Sequence, residues 1–139
     1  MSTIAIGQPA PDLEVRATDE QSFSLTDFKG RNLVLYFYPK DNTPGCTTEG
    51  QDFRDHYEEF RKLKTGIFGV SRDSLKSHEG FKGKQCFPFD LISDQDEKLC
   101  KLFDVIKEKT LYGKKYLGIE RSTFIIDSHG ILHKEYRGV

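Results

Sequence analysis

The hydrophobic rhythm of this chain changes several times, and each change predicts an element. Near the N-terminus, "LEVRATDEQSFSL" holds two short alternating pieces around "TDEQ", the pattern of a β-hairpin at a sheet edge. "LTDFKGRN" then reads as a short turn or helix ending at Gly30. From Leu33 to Tyr38 the residues are continuously apolar and rich in β-formers, and Pro39 closes the run. That run predicts a strand buried on both faces, as in a parallel sheet. A helix should follow, because Phe53, Tyr57 and Phe60 recur at steps of four and three with charged residues between them. Carried backwards, the stripe reaches Gly50 and Cys46, which puts Cys46 on the inward face at the first turn.

Strands and helices alternate from there. "TGIFGVS" predicts the next buried strand, and "DSLKSHEGFKGKQC" a weaker helix capped by Asp73 or Ser74. "FPFDLISD" reads as a short strand, and "DQDEKLCKLFDV" as a helix with Leu99, Leu102 and Phe103 on its core face. "KKYLGIERSTFIIDSHGILHKEYRGV" predicts two strands joined by a hairpin at "DSHG". The sum is an α/β protein whose sheet carries helices on both faces. No repeat or linker divides it, so residues 1–139 are expected to form one domain.

Charge and cysteine usage narrow the functions. The formal net charge is −1 with both signs mixed along the chain, which argues against nucleic-acid or membrane partners. The run from Leu33 to Tyr38 is far too short to span a bilayer. "MSTIAIGQPAPDLEV" lacks the charged and apolar regions of a signal peptide, so a cytoplasmic location is expected. Three cysteines at 46, 86 and 100, with no C-x-x-C and no local Cys/His pairing, disfavour a disulfide framework and a zinc site alike.

Cys46 is where the chemistry concentrates. A free thiol has a pKa of about 8.5 and is only slightly ionised at neutral pH, so a nucleophilic role needs the thiolate stabilised. Thr43 and Pro44 suit the Ncap and N1 positions of the predicted helix, which would place Cys46 near N3, facing unpaired N–H groups. The Thr43 hydroxyl could turn toward the sulfur or toward a bound oxygen. A shift of two units requires about 2.7 kcal/mol, and a helix terminus supplies typically about 0.3–1 and at most about 2. A cation from elsewhere must supply the rest, and Arg121, at the start of the predicted strand "STFIID", is the candidate. The plainer readings are a small buried hydrophobe at Cys46, a surface charge at Arg121 and a solvated helix charge at Glu49.

These residues resemble the peroxiredoxins. The family pattern Pro-x-x-x-Thr-x-x-Cys is matched by Pro39, Thr43 and Cys46. "FYPKDNTPGCTTE", "GVSRDSLKSHEGF" and "GIERSTFIIDSHGIL" resemble, in order, the Q-type subfamily, also called bacterioferritin comigratory proteins. The resemblance implies a thioredoxin-like fold, with a central mixed β-sheet flanked by helices and an N-terminal β-hairpin. It implies a thiol-dependent peroxidase that reduces hydrogen peroxide and organic hydroperoxides through a sulfenic acid on Cys46, in antioxidant defence. It implies further that Thr43 hydrogen-bonds the peroxide and Arg121 orients substrate and sulfur. Pro39 would shield the pocket from water, and Glu49 would help hold Arg121. A monomer reduced by thioredoxin or a similar thiol is expected, with no metal or organic cofactor.

The chain departs from the family pattern in places. Some Q-type members carry a resolving cysteine five residues after the peroxidatic one, where this chain has Gln51. Others carry it at the position matching Lys82. Cys86, about one turn later, is the leading resolving candidate, Cys100 the lesser one, and a one-cysteine cycle with an external thiol is the remaining alternative. Either internal partner requires the first turn of the Cys46 helix to unwind. The family's further C-terminal helix is expected to be absent. Among rivals, a dithiol oxidoreductase lacks its C-x-x-C, a glutathione-peroxidase-like enzyme lacks its tryptophan, and a cysteine phosphatase lacks its nearby arginine. A non-enzymatic peroxide sensor or chaperone-like protein on the same fold would also use a reactive Cys46.

Overall fold

The apolar run from Leu33 to Tyr38 lies at the middle of the molecule, and the rest is arranged around it. The computed structural model describes residues 3–138. In chain order the elements are β1 (Glu14–Ala17), β2 (Gln21–Ser24), a 3-10 turn (Leu25–Phe28), β3 (Asn32–Phe37), α1 (Pro44–Asp55), α2 (Tyr57–Lys62) and β4 (Thr65–Ser71). They continue as α3 (Leu75–Gln85), β5 (Asp90–Ser93), α4 (Lys98–Leu102), β6 (Ile106–Leu111), β7 (Lys114–Ile119), β8 (Ser122–Ile126) and β9 (Leu132–Arg137). Seven strands form a mixed sheet in the order β2-β1-β5-β4-β3-β8-β9. β3 pairs parallel with β4, and β4 with β5, while the β1–β2 hairpin and the β8–β9 pair are antiparallel. The thioredoxin-like α/β sheet and its N-terminal edge hairpin are therefore as the sequence led us to expect.

β3 divides the core into two layers because successive side chains leave a strand on opposite faces. Leu33, Leu35 and Phe37 pack with Leu99, Leu102, Phe103 and Phe124 on the α4 side. Val34, Tyr36 and Tyr38 pack with Cys46, Phe81, Phe87 and Leu91 beneath α1 and α3. Phe37 and Leu35 are fully enclosed, and each such side chain contributes about 1.5–3 kcal/mol of transfer free energy.

Three elements differ from the sequence expectation. The helix expected to run unbroken from Cys46 past Phe60 is interrupted at His56 (φ −104°, ψ 9°), which ends α1 and begins α2. The His56 ring donates to the Asp52 carbonyl at 2.9 Å, and the bend lets Phe53 and Phe60 both reach the core. The segment from Lys114 onward, read as two strands joined at "DSHG", holds three, because the part before "DSHG" is broken at Glu120–Arg121. The first half of that part, β7, pairs instead with β6 in a separate two-stranded sheet. The turn between them is Tyr112–Gly113, with φ of 51° and 77°, the left-handed pair that a two-residue hairpin favours. β6 escapes a periodicity search because the β6–β7 ribbon is mostly exposed, with Leu111, Tyr112, Tyr116 and Leu117 all in solvent. By contrast, the hairpin at "DSHG" is formed, with Gly130 at φ 78° and the Ile131 amide donating to the Asp127 carboxylate at 3.1 Å. No helix among the described residues is long and apolar enough to cross a membrane.

Asp90 ties the edge hairpin to α3. Its carboxylate accepts from Thr18 (2.8 Å), Gln21 (2.7 Å) and Lys82 (2.7 Å). Lys82 also donates to Asp19 at 2.6 Å. Burial works against the Asp90 charge, but these donors outweigh it and hold its carboxyl below the ordinary value. The folded state thus binds this proton less readily than the unfolded one. The stability it contributes is in place above the ordinary value of about 4 and is lost as pH falls through the depressed folded value. Asp90→Asn should destabilise the protein at pH 7 by about 1 kcal/mol. Urea melts should show this gap to wild type closing below about pH 4, and an equal gap at pH 7 and pH 3 would contradict it.

Candidate active site

The site begins where β3 runs out. The buried apolar run ends at Tyr38, Pro39 is half-buried, and the chain turns through Lys40, Asp41 and Asn42, the last at φ 61°. Thr43 is extended (φ −89°, ψ 151°) as the cap residue of α1, and Pro44 stands at its start. This makes Cys46 the third helical residue, turned inward and only 2% exposed. The Thr43 hydroxyl differs from the simplest expectation, because it donates to the Lys40 carbonyl at 2.8 Å and does not point at the sulfur. No side chain caps the first turn, so its N–H groups stay available to an anion at the mouth of the helix.

The cation arrives by strand register. Ser122 pairs with Phe37 across the antiparallel β3–β8 ladder, so Arg121 stands at the end of the sheet from which the Pro39–Thr43 loop departs. Its Nη2 donates to Cys46 Sγ at 3.2 Å, and its Nη1 donates to Glu49 Oε1 at 2.7 Å. Glu49, one helical turn after Cys46, therefore holds the guanidinium against the sulfur. Burial pushes the Glu49 carboxyl above its ordinary value, with Arg121 pulling the other way. Burial also works against the Arg121 charge, but the bond to Cys46 and the Glu49 charge outweigh it and hold that group above its ordinary value. Gly45 lets the guanidinium come close: a Cβ there would lie 3.1 Å from Nη2.

The three cysteines have different surroundings. Cys86 is exposed at the end of α3, in the left-handed cap conformation with φ 55°. The end of α3 lies against α1: Gln51 donates to the Gln85 side chain (2.9 Å) and Arg54 to the Gln85 carbonyl (2.9 Å). A Cβ at Gly50 would strike the Phe87 ring at 2.4 Å, so only glycine permits this approach. Cys100 is fully buried in the other core layer, with the sheet between it and Cys46. Burial, reinforced by Asp94, holds its thiol protonated far above the ordinary range. Lys82, the other family position for a second sulfur, is committed to Asp19 and Asp90.

Sequence reading passed over Asp41 and His78, which lie buried beside the loop. With Asp73 they are the one cluster among the described residues whose atoms converge as metal ligands could. Those atoms are already paired with one another, with hydroxyls and with the Asp41 amide at 2.6–2.9 Å, in one hydrogen-bond network. The helical spacing of His78 and Phe81 marks both as inward-facing and is the signal that could have found His78.

A buried sulfur at a helix mouth, bonded to a guanidinium and set on a thioredoxin-like sheet, defines the class: a thiol-dependent oxidoreductase. Comparison with known proteins sharpens it. The AhpC/TSA family model matches residues 6–135. Peroxiredoxin Bcp of Bacillus subtilis is 55% identical over 137 residues, covering 99% of this chain and 87% of that protein. Peroxiredoxin Bcp of Xanthomonas campestris is 53% identical over 128 residues, covering 92% of this chain and 80% of the relative. A cysteine-to-serine mutant of Xylella fastidiosa PrxQ superposes with a TM-score of 0.94 at 44% identity, covering 100% of this chain and 89% of the other. The bacterioferritin comigratory protein of X. campestris, solved in a study of its alkyl peroxide reduction activity, gives 0.90 at 48%, with 100% and 88% covered. The chain belongs to the AhpC/TSA family and is a thiol-dependent peroxidase of the peroxiredoxin Bcp type.

Proposed function

We propose that Cys46 is the peroxidatic nucleophile and that Arg121, Thr43, Glu49 and Pro39 make up the rest of its site. The observation that carries this reading is the 3.2 Å hydrogen bond from Arg121 Nη2 to Cys46 Sγ at the start of α1. The substrates are hydrogen peroxide and organic hydroperoxides. The thiolate attacks the hydroxyl oxygen of the peroxide in line, forming an S–O bond as the O–O bond breaks. Negative charge passes to the departing oxygen, where Arg121 and the uncapped N–H groups stabilise it. Protonation releases water or an alcohol, and Cys46 is left as a sulfenic acid. Thr43, whose hydroxyl proton is committed to Lys40, offers its oxygen to the peroxide hydrogen. Glu49 acts on the guanidinium, and Pro39 keeps water from the loop side.

Cys86 resolves the sulfenic acid. It is exposed, and its neighbours Gln85 and Phe87 already touch α1. Cys46 is buried, so the first turn of α1 unwinds for the sulfurs to meet, and the disulfide is then reduced by a thioredoxin-type thiol. The protein acts as a monomer in the reducing cytoplasm, since one chain supplies every group of the site.

Peroxide treatment followed by disulfide mapping tests the cycle. Wild type should form a Cys46–Cys86 disulfide. Cys86→Ser should instead accumulate a Cys46 sulfenic acid that dimedone traps, and its thioredoxin-supported turnover should fall at least tenfold. Unchanged turnover in Cys86→Ser would remove Cys86 from the cycle. Consumption of one peroxide per chain, even with reductant present, would favour a sensor.

A further inference from the structure

A buried polar cluster joins the loop before α1 to the first half of α3. The side chains of His78 and Asp41 are 0% and 1% exposed, with Nδ1 and Oδ2 2.7 Å apart. His78 Nε2 lies 2.9 Å from the Ile92 carbonyl. A carbonyl only accepts, so Nε2 carries a proton, and a second proton lies between Nδ1 and Asp41. The other Asp41 oxygen accepts from the Tyr38 hydroxyl at 2.6 Å, and Oδ2 also accepts from Ser77 at 2.8 Å. The Asp41 amide donates to Asp73 at 2.9 Å, and the same Asp73 oxygen accepts from Ser71 at 2.6 Å. Asp41 is thus held through both its backbone and its side chain. Neither Asp41 nor His78 forms a hydrogen bond with Cys46, Thr43 or Arg121.

We propose that Asp41 and His78 are positioning residues for peroxide reduction: together they fix the loop that carries Thr43 and the first turn of α1. The inference rests on Cys46 as nucleophile. Stability alone does not account for such a pair, because buried ionisable partners are often matched by apolar residues of similar volume. What apolar packing cannot supply is direction. Asp41 lies two residues before Thr43, and only Asn42 separates them. Fixing Asp41 from four sides therefore sets where the Thr43 oxygen and the helix mouth stand relative to Arg121. A displacement of about 1 Å at a reacting centre costs on the order of a hundredfold in rate.

The test is the rate at which peroxide oxidises reduced Cys46, followed in single turnover beside hydrogen exchange. His78→Leu fills the space without a donor. His78→Asn returns an N–H close to the place of Nδ1. His78→Leu should slow oxidation about tenfold or more, and His78→Asn should recover most of the loss. Exchange should quicken over residues 43–50 in His78→Leu while β3 and β4 keep their protection. A wild-type rate in His78→Leu would overturn the proposal. So would equal slowing in both variants, or loss of protection throughout the sheet, which marks a merely structural role. Should His78→Leu fail to fold, Tyr38→Phe removes one bond to Asp41 at nearly constant volume. A several-fold slowing there supports the pair and an unchanged rate overturns it. Wild-type protein that does not react at Cys46 would remove the nucleophile assignment itself, and this inference with it.

Discussion

Serine at position 46 is expected to bring catalytic peroxide consumption to background while leaving the fold intact. The reaction oxidises the attacking atom, since sulfur takes the hydroxyl from the peroxide and becomes a sulfenic acid. A serine oxygen offers no equivalent oxidation and stays protonated beside the guanidinium. The fold should tolerate the change. The hydroxyl can accept from Arg121 where the sulfur does, and the swap removes little volume from the layer beneath α1. A stability cost of about 1 kcal/mol is the expected scale. Peroxide decay in the presence of excess reductant gives the answer, with circular dichroism checking the fold. The exposed Cys86 remains in this variant, so slow stoichiometric oxidation is compatible with the mechanism. Full turnover would mean that the nucleophile is elsewhere.

The second large effect belongs to Arg121. Arg121→Gln should lower the second-order rate with peroxide by about 10²–10³, the usual loss when one donor to a developing oxyanion is removed. Two contacts disappear together, the 3.2 Å bond to the sulfur and the 2.7 Å bond to Glu49. An amide at position 121 could replace one donor but not the charge. It would also leave Glu49, already pushed up by burial, without its cation. Arg121→Lys should fall between, because an ammonium restores the charge but not the two-pronged geometry. The measurement is stopped-flow oxidation of the reduced protein at several peroxide concentrations. A loss of less than threefold in Arg121→Gln would show that the helix mouth alone carries the charge.

Much of this arrangement was legible because local signals agreed with the fold. The buried run ending in Pro39, followed by a Thr-Pro helix start, located both β3 and the mouth of α1 from residues adjacent in the chain. Arg121 was reachable for a different reason: "STFIID" reads as a central strand, and a residue leading into such a strand lies at its rim. What was not legible depends on pairing between distant segments. β6 is mostly exposed, so no apolar alternation announces it and only Tyr112–Gly113 hints at its turn, while β7, inside a segment that reads as strand, gives no sign that it leaves the main sheet. The division of α1 from α2 is set by how Phe53 and Phe60 reach a shared core, which periodicity alone cannot distinguish from a straight helix. Asp41 and His78 meet across 37 positions of chain. The Thr43 hydroxyl could be placed only once the loop had a shape.

The contact between Cys46 and Arg121 spans 75 positions and depends on β8 docking in register against β3. A ribosome-bound chain ending before β8 would carry the thiol without its cation, and so would a molecule whose last hairpin had come away. With Cys46 as the proposed nucleophile, full reactivity toward peroxide is expected only of the finished sheet, and a chain whose C-terminal edge has come away should react as slowly as Arg121→Gln. Peroxide could thus serve as a probe of assembly, because on the proposed site the rate at Cys46 counts the molecules in which β8 has docked against β3.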